Sequence, residues 1–343
     1  MKRNPIQLLL QTSPFLRRGM STPRLMTEVI IALIPVVITA CWFFGIGALL
    51  IILAAVAGAV LTEWFFSPKP RGYSLFDGSG ILTGILLGLT LPPGIALWMA
   101  FVGGAVGIGL GKLVMGGLGQ NMFNPALIGR AFLQAAFPTA LTTWNPQGTI
   151  TDFAAIRPSN LALPLMQSSA DAVTTASPLG LMKFEQEPTP WFDLFIGNTA
   201  GSLGETCAIV IIICGIVMAY RRNFDWRIPA SIIIAVLAFS AIPWLIKPEL
   251  YPTPLAMVLS GGLLFGAVYM ATDPVTSPVT PRGAWIFGAS IGLLVVAIRL
   301  WGGLPEGVMY AILLMNAATP LIEKIAQPRV FGRGKQDCSG VST

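Results

Sequence analysis

"SGILTGILLGLTLPPG" at residues 79–94 and "MGGLGQNMFNPALIGRAF" at 115–132 return in outline as "SGGLLFG" at 260–266 and "WGGLPEGVMYAILLMNAA" at 301–318. Each pair begins with a glycine-punctuated apolar span and continues to a Gly-Gly-Leu turn, at Gly116 in one case and Gly302 in the other. Apolar runs of about 18 to 22 residues, long enough to cross a bilayer, recur around both copies. Hydropathy places ten spans, near 26–44, 47–66, 78–93, 95–114, 123–140, 204–220, 228–246, 254–271, 284–300 and 306–322. The third stops at Pro92 and Pro93, and the fifth carries Pro125 near its start, so both read as half-helices or tilted segments. Five spans per copy, an odd number, turn the second copy over in the membrane. The expected fold is therefore an all-α integral membrane protein, with about ten transmembrane helices in two inverted five-helix repeats.

Composition agrees. Of 343 residues, 54% are hydrophobic and 10% charged, with 37 glycines and 27 prolines inside and between the apolar runs. Outer-membrane barrel strands alternate in polarity, and these runs do not. The leader "MKRNPIQLLLQTSPFLRRGMSTPRLM" is basic and proline-broken, without the short apolar core of a secretory signal, and reads as a retained cytoplasmic tail. The chain has no histidine, which excludes a bis-imidazole haem, a carboxylate–histidine metal centre and a histidine-based triad within this subunit. The four cysteines, Cys41, Cys207, Cys214 and Cys338, form no Cys-x-x-Cys pair. Cys207 and Cys214 read as small buried hydrophobes, since two thiols alone cannot hold a cluster.

Placing the N-terminus in the cytoplasm puts sixteen of the 21 lysines and arginines on that side. Arg157, Lys183, Lys247 and Arg299 fall outside, and Arg130 falls within a span. The resulting divisions are a cytoplasmic tail at 1–25, a membrane repeat at 26–140, a periplasmic loop at 141–203, a second repeat at 204–323 and a cytoplasmic tail at 324–343. Basic residues such as Arg221, Arg222 and Arg227 read as anchors to membrane lipid, with no nucleic-acid signal.

Three features carry candidate chemistry. In the loop, "MQSSADAVTTASPLGLMK" at 166–183 has the form Asp-x-x-Ser/Thr-x-Ala-Ser/Thr before Pro-Leu; read blandly, it is a solvated turn-forming stretch. Asn121 and Asn124, at the head of the fifth span, are either a turn and helix cap or amides facing a ligand from the cytoplasmic side. Arg130 must find a protein partner, because lipid exposure costs at least ~2.5 kcal/mol. Asp77, Asp273 and Glu205 are its candidates. Glu205 opens the sixth span beside the loop, as a cap or as part of a site; Asp273 reads as a turn former or, at an unwound turn, an ion ligand.

The loop motif resembles the flavin-attachment site of the family that joins the D component of Rnf electron-transport complexes to the B component of the sodium-translocating NADH:quinone reductase. Blocks along the whole chain are similar to that family, in its order: "YSLFDGSGILTGILLGLTLPPG", "GGLGQNMFNPALIGRAF", "GNTAGSLGET", "MATDPVTSP" and "PRVFG". The short leader resembles the Rnf member more than the quinone reductase. The resemblance implies FMN held by a phosphoester. A flavin transferase reads Asp171 and esterifies the last hydroxyl, here Ser177, in a motif containing Thr174, Thr175, Ala176 and Pro178. This chain has serine where the family has threonine, and Thr175 where glycine is frequent, so Thr174 and Thr175 stay open as attachment points.

The implied setting is a bacterial inner membrane, both termini cytoplasmic, in a complex with the other Rnf proteins (RnfA, RnfB, RnfC, RnfE and RnfG) that couples ferredoxin and NAD redox to sodium or proton movement. The chain is then one subunit of a translocase, not catalytic alone, with Asn121, Asn124, Arg130 and Glu205 lining cofactor sites and a non-covalent riboflavin as a second cofactor. An ion or solute transporter, or a passive scaffold, fits the same repeat without any redox group.

Overall fold

The computed structural model describes residues 21–67, 76–144, 157–164, 175–185, 189–205, 207–303 and 306–327. Among them the only strand-like pairing is an isolated bridge between Trp144 and Thr175, and everything else regular is helical. Asp171, Thr174 and Cys338 lie outside the described residues.

The first half contains α1 (Thr22–Phe44), α2 (Ile46–Phe66), α3 (Ser79–Thr90), α4 (Leu97–Ile108, running on as a wider π turn over Gly109–Leu113) and α5 (Pro125–Ala136). Short pieces follow in the connector: α6 (Pro138–Thr142), α7 (Pro178–Gly180, continuing over Leu181–Glu185) and α8 (Trp191–Ile196). The second half contains α9 (Ala208–Tyr220), α10 (Arg227–Ile246), α11 (Pro254–Leu259), α12 (Leu263–Phe265, continuing over Gly266–Met270), α13 (Pro281–Trp301) and α14 (Val308–Ile325). Of these, α1, α2, α10, α13 and α14 are long and apolar enough to cross a membrane, while α3, α4 and α9 are shorter apolar helices.

Packing repeats between the halves. Helix α2 lies along α4 and touches α3; α10 lies along α13 and touches α11 in the same way. The partners α1 with α9, and α5 with α14, meet each other across the middle. Glycine makes the tightest of these contacts. A β-carbon at Gly58 would collide with the Phe101 carbonyl, and one at Gly104 with the Ala55 carbonyl, so α2 and α4 approach backbone to backbone. Gly288 and Gly292 do the same for α13, where a β-carbon would stand 2.7 Å from the Ile228 carbonyl and 2.6 Å from the Ala235 methyl respectively. Lipid gives no hydrophobic reason for two helices to meet, so close van der Waals packing over small residues supplies it.

The third element of each half is broken. At twelve residues, α3 rises only about 18 Å. Pro92 has no amide hydrogen to continue it. The predicted eighth span, 254–271, is two short helices separated at Ser260–Gly262, where Gly261 has φ +63°. Hydropathy predicts a single continuous span there, and the glycine pair overturns it. The fifth span likewise ends earlier than expected, at Ala136, with α6 starting afresh at Pro138.

Candidate functional site

Both breaks expose helix C-terminal carbonyls inside the protein, and each is covered by an arginine. Arg130, on α5, donates from Nη1 to the Thr90 carbonyl at the end of α3, at 2.7 Å. Arg299, on α13, donates to the carbonyls of Met257 and Ser260 at the end of α11, at 2.5 and 3.0 Å. A guanidinium suits this place, because the last carbonyls of a helix lack intrahelical partners and carry its negative dipole end. Connector backbone completes the cover of α3: the Leu203 and Gly204 amides donate to the carbonyls of Leu91 and Leu89, at 3.1 and 2.6 Å.

Two glutamates face Arg130. Arg130 Nη2 pairs with Glu306 Oε2 at 2.6 Å, and Nη1 lies 3.8 Å from Glu205 Oε1. Of the three expected partners, Glu205 alone takes part. Asp77 belongs instead to a second buried cluster with Lys112 (3.0 Å), which also holds Glu63 and Ser79 (2.6 Å). Asp273 turns back on its own loop, accepting from the Val275 amide at 3.3 Å. Lys112 and Arg299, which the charge count assigns to the cytoplasmic and outer sides, are therefore interior cations. Glu306, the closest partner of Arg130, escapes the sequence reading.

A cavity of about 600 Å³ opens beside this cluster. Thr90, Arg130, Glu205 and Glu306 form one wall, and Trp144, Thr175, Ala176 and Ser177 another. Thr175 to Ser177 of the loop motif and the buried charges, far apart in the chain, thus face a common space. Ser177 is 5% exposed and caps α7, its Oγ accepting from the Gly180 amide at 3.2 Å. Pro178 follows at the first helical position, where its missing amide hydrogen costs nothing. The Thr175 hydroxyl is buried with no hydrogen-bond partner. Its amide donates to the Trp144 carbonyl at 2.9 Å. Further along, Lys183 reaches the Gly302 carbonyl at 2.5 Å, and burial holds its ammonium below the usual lysine pKa.

Asn121 and Asn124 do not join this space. They line a separate cavity of about 70 Å³, along with Lys112, Tyr269 and Asp273. Asn124 caps α5, accepting from the Ala126 amide at 3.0 Å, and its NH2 donates across the repeat interface to the Met270 carbonyl at 3.1 Å. Asn316 of α14, with its amide turned to suit its neighbours, accepts from the Asn124 amide at 3.3 Å. The second half thus supplies an amide to the same junction, two turns into α14. Asn121 is tied into the turn, accepting from the Gly119 amide at 3.3 Å. No group of three or more metal-ligating side chains occurs among the described residues, and Cys207 and Cys214 are buried and free.

The profile of the NQR2, RnfD, RnfE family matches residues 9–332. The D component of the proton-translocating ferredoxin:NAD(+) oxidoreductase complex of Clostridium ljungdahlii is 39% identical over 338 residues, 94% of this chain and 96% of that protein. The D component of the ion-translocating oxidoreductase complex of Yersinia pseudotuberculosis is 37% identical over 341 residues, 94% and 97% of the two chains. Its counterpart in the Na(+)-translocating ferredoxin:NAD(+) oxidoreductase complex of Acetobacterium woodii is 37% identical over 334 residues, 96% of each.

Proposed function

Because the chain belongs to the NQR2, RnfD, RnfE family, we propose that it is the D-type membrane component of a bacterial ion-translocating ferredoxin:NAD oxidoreductase complex, carrying electrons on FMN esterified to Ser177. One observation supports the flavin above all: the acceptor serine of the motif lines a cavity of about 600 Å³. Small-molecule sites commonly span about 300–1,000 Å³. The residues present fit the group, since Thr175 offers a buried hydroxyl that no protein atom engages and Arg130 places a fixed cation in the wall.

Bound there, FMN supplies the electron-carrying chemistry that a chain without histidine has no imidazole-held metal to provide. The protein's part is to hold and orient. Ser177 would hold the phosphate, Trp144 and Phe184 would supply apolar lining, and the Arg130–Glu306 pair would supply charged groups to the same cavity. Neighbouring proteins of the complex are donor and acceptor, and a flavin transferase installs the group. A second, non-covalent riboflavin is a separate expectation, to which the amide-lined cavity of about 70 Å³ lends no support. A transporter or passive scaffold gives no reason for Thr175, Ala176 and Ser177 to line a cavity of this size.

The test is direct. The chain co-expressed with its transferase should run as a fluorescent band on a denaturing gel under ultraviolet light, Ser177→Ala should run dark, and peptide mass spectrometry should find the FMN adduct on Ser177. Unmodified peptides across 160–190 from fully matured protein would refute the proposal.

A further inference from the structure

The acceptor hydroxyl is in the wrong place for an enzyme to reach. Ser177 is 5% exposed, its Oγ already engaged by the Gly180 amide, with Pro178 and Leu179 buried beside it. The segment is held at both ends, by the Thr175 amide on the Trp144 carbonyl and by Lys183 on the Gly302 carbonyl. Between them Leu179 is seated against Gly261, where a β-carbon would stand 2.6 Å from its Cδ1. A reacting oxygen must come within about 3–3.5 Å of the atom it attacks, in line with the leaving group, inside another protein's active site. The docked segment forbids that approach.

We propose that residues 175–185 are modified while undocked, and that docking afterwards carries the loaded Ser177 into the wall of the cavity. This rests on the Ser177 reading above and adds an order of events to it. The transfer itself balances. Ser177 Oγ forms a bond to the flavin-side phosphorus of a flavin dinucleotide, the bridging P–O bond of the diphosphate breaks, AMP leaves, and the hydroxyl proton goes to the transferase or to water. On this order of events, the exchange requires the Trp144–Thr175 and Lys183–Gly302 contacts to be open.

The test locks and loosens the segment in membranes holding the assembled complex, prepared from a host without the transferase, then treated with transferase and flavin dinucleotide. Trp144 and Thr175 share a bridge hydrogen bond, which puts their α-carbons roughly 5.5 Å apart. Disulfides span about 4.4–6.8 Å, so Trp144→Cys with Thr175→Cys can be cross-linked by oxidation. In-gel flavin fluorescence is the readout. The oxidised double variant should label on the order of tenfold more slowly than the same protein reduced, because only the undocked fraction reacts. Wild type should be indifferent to oxidant. A second variant needs no cross-link: Leu179→Ala with Lys183→Ala weakens docking and should label faster than wild type. Equal labelling of locked and reduced protein, or no acceleration in the loosened variant, overturns the order of events. Wild type that stays dark even when matured in its own host overturns instead the assignment of FMN to this segment.

Discussion

Replacing Arg130 with methionine removes one cation from three acceptors at once. The guanidinium is 2.6 Å from Glu306, 2.7 Å from the Thr90 carbonyl and 3.8 Å from Glu205. Side-chain exposures are 11% for Arg130, 20% for Glu306 and 6% for Glu205, too low for solvent to screen the loss. Breaking a buried pair by deleting one partner costs about 3–5 kcal/mol. The orphaned carbonyl adds about 1 kcal/mol. Arg130→Met should therefore lower unfolding free energy by roughly 4–6 kcal/mol. Arg130→Met with Glu306→Gln removes the stranded charge and should recover part of that loss, so the two effects should not add. Arg130→Lys should fall between, since a single ammonium cannot span Glu306 and Thr90 together. Reversible unfolding in mixed micelles, followed by tryptophan fluorescence, measures all four proteins. A loss under about 1 kcal/mol for Arg130→Met, the range of exposed pairs, would refute the reasoning.

Three further outcomes follow from the same packing and charge arguments. Gly104→Val should push α4 off α2, because even its β-carbon collides with the Ala55 carbonyl; the overpacking costs about 1–3 kcal/mol or more and should show as lost monodispersity on size exclusion. Lys112→Met should strand Glu63 and Asp77 and destabilise by about 3–5 kcal/mol, with partial rescue by Glu63→Gln, in the same unfolding assay. Ser177→Ala should lose covalent flavin while costing only about 1 kcal/mol through the missing cap, so the dark protein should still assemble, whereas Ser177→Thr should keep both cap and fluorescence.

Much of the architecture can be read from residue order because membrane burial writes itself in long averages. Apolar runs, the Gly-Gly-Leu turns and the proline pair at Pro92 mark the halves and one of the breaks. The other break stays hidden for the same reason: a window of about 19 residues smooths over a three-residue interruption, and Ser260–Gly262 has no proline to announce it. Arg130 is legible as a charge in need of a partner, but the partner is not. Glu306 sits in "WGGLPEG", which reads as a surface turn, and nothing in its neighbourhood points to a residue 176 positions earlier. Lys112 and Arg299 lie near the ends of apolar runs, where a cation ordinarily snorkels to the interface. Only the tertiary fold shows that carboxylates or carbonyls wait inside.

The two arginines explain how a repeat with broken helices keeps its centre intact. An interrupted membrane helix leaves carbonyls that lipid cannot satisfy, and in transporters of this plan such ends are open to mobile cations. Here each half-helix end is closed by a guanidinium, Arg130 on α3 and Arg299 on α11, and arginine does not deprotonate in proteins. A change of protonation therefore does not undo the closure. Glu205 and Glu306 face Arg130 with their carboxyl groups, so the wall of the cavity that these three side chains form is polar and held by ion pairs and by the Thr90 carbonyl. Such a wall changes little when a neighbouring group gains or loses charge, because its dipoles are held by backbone and by each other rather than by water. It is a suitable setting for a tethered carrier and a poor one for a hydrated ion. Arg299 and Leu179 of the Ser177 segment both pack against Gly261, so replacing Arg299 with glutamine should loosen that segment together with the α11 end, and the protein should lose stability while the Ser177 hydroxyl stays available for modification. Unchanged unfolding free energy in Arg299→Gln would show that the guanidinium does not hold the break closed.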